Sequence, residues 1–112
     1  MRVSLIIGAA IALWAATRGH AAAADPQEAT IKLFQFQPKT LEIKAGATVK
    51  WVNGDDIEHS VTAGEPGKEN SNFDSGFFKK GGSFEFTFTE PGAYNYFCKR
   101  HNSMKATVIV SQ

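Results

Sequence analysis

Apolar and polar residues alternate with period two along most of the chain beyond its first 30 positions. Phe84, Phe86 and Phe88 interleave with Ser83, Glu85, Thr87 and Thr89, and Leu41 and Ile43 with Thr40, Glu42 and Lys44. Val49 and Trp51, Tyr94 and Tyr96, and Val108 and Val110 follow the same rule. Side chains in a strand point to opposite faces in turn, so each run reads as a strand with one buried face. No stretch sustains apolar residues at i, i+3, i+4 and i+7, and no helix is predicted. The run Ile31-Lys32-Leu33-Phe34-Gln35-Phe36 changes face between Leu33 and Phe34, which predicts a bulge there. Turn signals punctuate the runs at Gln37-Pro38, Ala45-Gly46, Asn53-Gly54, Gly81-Gly82 and Pro91-Gly92. The last suits a type II turn, with Pro at its second position and Gly at its third. Gly64 to Gly76 is polar and aperiodic, and predicts a long surface excursion between strands. Short strands at this spacing indicate an all-β sandwich or barrel in a single domain.

The first two dozen residues break the pattern. Arg2 precedes an uncharged, mostly apolar run from Val3 to Thr17, and small residues follow at Gly19 and Ala21 to Ala24. The apolar run is shorter than the roughly 20 residues of a spanning helix, and the order of regions is that of an export leader. Residues 1–24 are therefore expected to be cleaved after Ala21 or Ala24, leaving a domain over 25–112 in the periplasm. Arg18 and His20 are slightly awkward in such a leader. Losing Arg2 and Arg18 takes the formal charge from +1 to −1. A near-neutral domain without a basic face argues against nucleic acid as a partner. The mature form is expected to have no membrane span and to be a monomer. At 43% hydrophobic residues, with nine Phe, the chain can fill a packed core.

Beyond the leader the chain keeps one Cys (Cys98), two His (His59 and His101) and one Met (Met104). A single Cys forms no internal disulfide, so the usual staple of small exported domains is absent. Cys98, His101 and Met104 are spaced C-x2-H-x2-M between a strand ending near Phe97 and one starting near Lys105. They therefore share one tight loop, while His59 lies upstream, after the polar turn Asn53-Gly54-Asp55-Asp56. Taken singly, Cys98 reads as a small buried hydrophobe, His59 as a surface or satisfied histidine and Met104 as core filler. Taken together, two imidazoles, a thiolate and a thioether match one metal, and soft sulfur with imidazole selects copper. Thioether is a poor zinc ligand. The cluster Asp55, Asp56 and Glu58 reads as solvated turn residues.

Trp51-Val52-Asn53, His59-Ser60-Val61, the stretch Phe84 to Gly92, and Tyr94-Asn95-Tyr96-Phe97-Cys98 with His101 and Met104 resemble the cupredoxins, or blue copper proteins. The short C-x2-H-x2-M loop is similar to that of the amicyanins; plastocyanins and pseudoazurins have two more residues between His and Met. The resemblance implies a Greek-key β-sandwich with one mononuclear type 1 copper near one end, held by His59, Cys98, His101 and Met104. It also implies an electron port at the His101 edge, through an apolar patch to which Ile57 belongs. Two positions depart from the family. Ser60 stands where Asn is common, and Arg100 replaces the Pro usually found before the second His. Lys99-Arg100 thus places two positive charges beside His101, either as a solvated loop or as a docking site for an acidic partner.

The function this implies is an exported one-electron shuttle, not an enzyme. Amicyanin-like proteins accept electrons from an amine dehydrogenase and pass them to a c-type cytochrome, so a dehydrogenase donor and a cytochrome acceptor are the partners implied. The alternative is a copper carrier or copper-sensing module with no redox role. A closed four-ligand site favours the shuttle, because carriers need open, exchangeable coordination.

Overall fold

A computed structural model describes residues 27–112, and the expected leader 1–24 lies outside the described residues. Among the described residues nine strands form two sheets: β1 Gln27–Lys32, β2 Gln35–Gln37, β3 Thr40–Lys44, β4 Thr48–Asn53, β5 Thr62–Glu65, β6 Lys68–Asp74, β7 Ser83–Thr87, β8 Gly92–Phe97 and β9 Lys105–Ser111. One sheet has the order β2-β1-β4-β7 and the other β3-β9-β8-β5-β6. The pairs β1–β4 and β3–β9 are parallel and the rest antiparallel. The chain crosses repeatedly between sheets, as in the sandwich expected from the sequence, and no helix occurs among the described residues.

The period-two pattern works as the pleat requires. In β4, Val49, Trp51 and Asn53 are buried, and in β9 Ala106, Val108 and Val110 are. Trp51 is the centre of the core: its ring lies 5.4 Å from Tyr96, 5.8 Å from Phe84 and 6.0 Å from Phe73. Its indole Nε1–H donates to the Tyr96 hydroxyl at 3.1 Å, so the polar atoms of both large rings are satisfied. Two expected turns form with the glycine they need. The N–H of Ala47 bonds Lys44 O around Gly46 at φ +96°, and that of Gly82 bonds Lys79 O around Gly81 at φ +84°.

Three expectations are corrected. The face change at Leu33-Phe34 is a hairpin turn, not a bulge: β1 and β2 pair antiparallel with Lys32 opposite Gln35 and Ile31 opposite Phe36. Both turn residues are left-handed, at φ +54° and +59°. A two-residue turn with this backbone normally uses Asn and Gly, so two apolar residues gave no sign of it. The segment from Gly64 to Gly76 is largely the β5–β6 hairpin, turned at Pro66-Gly67. β6 is an edge strand, exposed throughout except at Phe73, so no alternation marks it in the sequence. At Pro91-Gly92, Gly92 already opens β8 with φ +152°, far from the roughly +80° of a type II turn.

Candidate metal centre

His59 precedes β5 and is held by reciprocal backbone bonds with Phe78, His59 N–H to Phe78 O at 3.3 Å and Phe78 N–H to His59 O at 3.0 Å. Cys98 follows β8 directly. Its N–H donates to Met104 O at 3.1 Å, and the Met104 N–H donates to His101 O at 2.8 Å. The C-x2-H-x2-M segment is thus a closed loop between β8 and β9, as the spacing predicts. The structure brings candidate ligand atoms of His59, Cys98 and His101 within 4.8 Å of one another. His59, Cys98 and Met104 are buried, and His101 is half-buried. Met104 closes the loop from inside the core.

The hydrogen bonds around these atoms leave their lone pairs aimed inward. His59 Nε2 lies 2.9 Å from Asp55 Oδ2, while His59 Nδ1 faces Cys98 Sγ at 3.6 Å. Burial pushes the Asp55 carboxyl up, but the N–H groups of Phe34 and Leu33 and the His59 ring outweigh it and hold Asp55 below its usual range. An ionised carboxylate only accepts, so Nε2 carries a proton, and in the neutral ring Nδ1 is the nitrogen whose lone pair faces Cys98. His101 Nδ1 is buried with no hydrogen-bond partner among the described residues. Burial, then His59 and Arg100, hold the His101 ring below its ordinary pKa and favour the neutral form that ligates. The Ser60 N–H donates to Cys98 Sγ at 3.3 Å. Two imidazole nitrogens and one sulfur converge, and one of those nitrogens has no other partner among the described residues. This donor set fits copper.

The matching family model, copper-binding proteins of the plastocyanin/azurin family, covers residues 23–111. The chain belongs to that family, the cupredoxins. It is 36% identical over 87 residues to amicyanin of Paracoccus versutus, covering 78% of this chain and 66%, just under two thirds, of that protein. It is 31% identical over 117 residues to amicyanin-alpha of Methylorubrum extorquens, covering 96% and 98% of the two chains. Among solved structures, a Cu(I) methionine-to-alanine variant of amicyanin superposes with TM-score 0.70 at 28% identity, covering 79% of this chain and 85% of that one. A purple cupredoxin from Nitrosopumilus maritimus superposes at 0.71 and 31% identity, over 76% and 99%. The copper of this family is a single type 1 ion, and the grouped His59, Cys98 and His101 match such a centre.

In this cupredoxin, two contacts beside the centre were not legible beforehand. Asp55, expected as a solvated turn residue, has only 10% of its side chain exposed and holds His59, whereas its neighbour Asp56 is 92% exposed and pairs with Lys80. Phe34 stands edge-on to both imidazoles, its ring 5.0 Å from His101 and 5.6 Å from His59. Leu33 and Phe34 are 72% and 50% exposed, so the turn forms apolar surface over the centre. Ile57, expected in such a patch, is half-buried, and its carbonyl accepts from Asn53 Nδ2 at 3.0 Å. The Lys99 ammonium bonds Asp74 Oδ2 at 2.6 Å. Arg100 is exposed and forms no ion pair among the described residues.

Proposed function

We propose that this cupredoxin is an exported carrier of single electrons, with His59, Cys98, His101 and Met104 as its copper ligands. The observation that carries the reading is the enclosed donor set, with a buried Cys98 sulfur facing His59 Nδ1 at 3.6 Å and, beside it, a His101 Nδ1 unpartnered among the described residues. Copper bound there would supply a one-electron Cu(II)/Cu(I) couple. The protein's part is to hold the donors still. Asp55 fixes the His59 ring and its tautomer. The Ser60 N–H orients the Cys98 sulfur and withdraws electron density from it. The Cys98–Met104 and Met104–His101 backbone bonds limit loop movement when charge changes. Burial keeps water from the thiolate, and the Phe34 edge carries apolar surface from the His101 ring to the exterior.

Residues 1–24 are read as the cleaved leader and 25–112 as the mature periplasmic domain. Redox proteins are the partners, a dehydrogenase as donor and a c-type cytochrome as acceptor, docking near His101 and Arg100. Lys99 borders that surface, with its charge committed to Asp74. The chain is a carrier and not an enzyme, so no catalytic residue is assigned. Loading the purified domain with Cu(II) beside a Cys98→Ser variant tests the reading. An intense visible band present only with Cys98 supports it. A colourless copper-binding domain would overturn it in favour of a copper carrier.

A further inference from the structure

Ser60 stands where the family commonly has Asn, and its hydroxyl takes up the contact across to the Cys98 loop: the Lys99 backbone N–H donates to Ser60 Oγ at 2.9 Å. The same hydroxyl lies 2.9 Å from Thr62 Oγ1, and Thr62 Oγ1–H donates to Asp74 Oδ1 at 3.1 Å. Asp74 Oδ2 accepts from the Lys99 ammonium, which closes a ring from Lys99 back to Lys99. The β5–β6 register makes this possible, because it sets Thr62 opposite Asp74. Gly76 N–H gives Asp74 Oδ1 a further bond at 3.0 Å.

The chain has one possible direction. A carboxylate only accepts, so the Thr62 hydroxyl must give its proton to Asp74 and accept from Ser60. Ser60 then spends its only proton on Thr62, and its remaining lone pairs face the Lys99 N–H. Each donated proton makes its own oxygen a better acceptor, so the Asp74 charge strengthens the last bond of the series. Burial raises Asp74, but the bonds from Lys99, Gly76 and Thr62 outweigh it and keep the carboxyl ionised below its ordinary range.

We propose that Asp74 is a positioning residue for the metal loop, acting through Thr62 and Ser60 to hold the peptide that follows Cys98. Ser60 grips the loop twice, by its N–H on the sulfur and by its oxygen on the next peptide, and Asp74 sets the polarity of the second grip. Only the consequence at copper rests on the function proposed above; the hold on the loop does not.

The test is amide hydrogen exchange in the copper-free protein, followed at residue 99. Thr62→Val and Asp74→Ala should each speed exchange there by roughly twofold, since the Lys99 N–H keeps its bond to Ser60 Oγ and loses only the strengthening passed down the series. The double variant should add little, since both cut one chain. Thr62→Ser should restore wild-type exchange, and Lys99→Met, which removes only the ion pair, should leave the residue 99 amide slow. Unchanged exchange in Thr62→Val and Asp74→Ala overturns the proposal. So does equal acceleration at the Cys98 amide, which bonds Met104 O and reports general loosening. With copper bound, Thr62→Val but not Thr62→Ser should shift the reduction potential; both variants are uncharged at this position, so an equal potential in the two overturns the effect at copper. A failed colour test with intact exchange results would overturn the copper reading alone.

Discussion

One oxygen of Asp55 serves both His59 and Phe34: Oδ2 lies 2.9 Å from His59 Nε2 and accepts the Phe34 N–H at 2.9 Å, while Oδ1 takes the Leu33 N–H at 2.7 Å. Left-handed backbone costs a non-glycine residue roughly 1–3 kcal/mol. Two charge-assisted bonds to a nearly buried carboxylate offset that cost at Leu33 and Phe34. The group that orients His59 is therefore also the group that holds the aromatic turn over the centre.

Removing the carboxylate should loosen both. Asp55→Ala is expected to lower copper affinity by about 10- to 100-fold, the usual scale for losing a partner that orients a ligating histidine. Competition against a chelator of known affinity measures it. Wild-type affinity would mean that backbone packing alone orients His59.

Arg100 is the cation beside His101 with no ion-pair partner among the described residues. Stopped-flow reduction of the copper-loaded protein by hexacyanoferrate(II) should slow roughly two- to threefold in Arg100→Gln at low salt, and the difference should vanish as salt screens the charge. A rate that does not change would place docking away from this loop.

Burial raises the Tyr96 phenol from 10.0 to about 12, against the opposing hydrogen bond from Trp51. Since the folded-state value lies above the unfolded one, the stabilisation is complete below pH 10 and is lost as pH rises towards about 12. Denaturant titrations of the copper-free domain should show this alkaline decline, and Tyr96→Phe should remove it. That variant should also lose about 1–2 kcal/mol at neutral pH by leaving the Trp51 N–H unpaired.

Gly64 has φ +109°, and a Cβ there would lie 2.6 Å from Lys68 O and 2.8 Å from Asn70 N. Both neighbours are backbone of the facing strand and cannot swing away. Gly64→Ala should cost more than about 2 kcal/mol in chemical denaturation and shift the β5–β6 register. Wild-type stability would show that the hairpin can open locally.

The strands of the sandwich core were readable because burial of one face writes itself into alternate residues, as at Val49 and Trp51 or Val108 and Val110. Where both faces meet water the record disappears, and β6 passed for a loop. Cys98, His101 and Met104 were readable as one cluster because seven consecutive residues between two strands have nowhere else to go. His59 could be added on chemistry, as the one matching donor far from the loop. The β1–β2 turn was hidden for the opposite reason, since Leu33 and Phe34 contradict the local preference of the conformation they adopt.

The sequence by itself determined the alternating faces, hence an all-β domain, and the donor set whose softness selects copper. Tertiary structure decided which groups orient those donors. Asp55 reaches the turn 21 and 22 residues away, Ser60 meets the Lys99 N–H across 39, and Lys99 finds Asp74 across 25. Composition and periodicity act between near neighbours, whereas these contacts depend on strand register and on which loops share one end of the sandwich, and those exist only once the two sheets have packed.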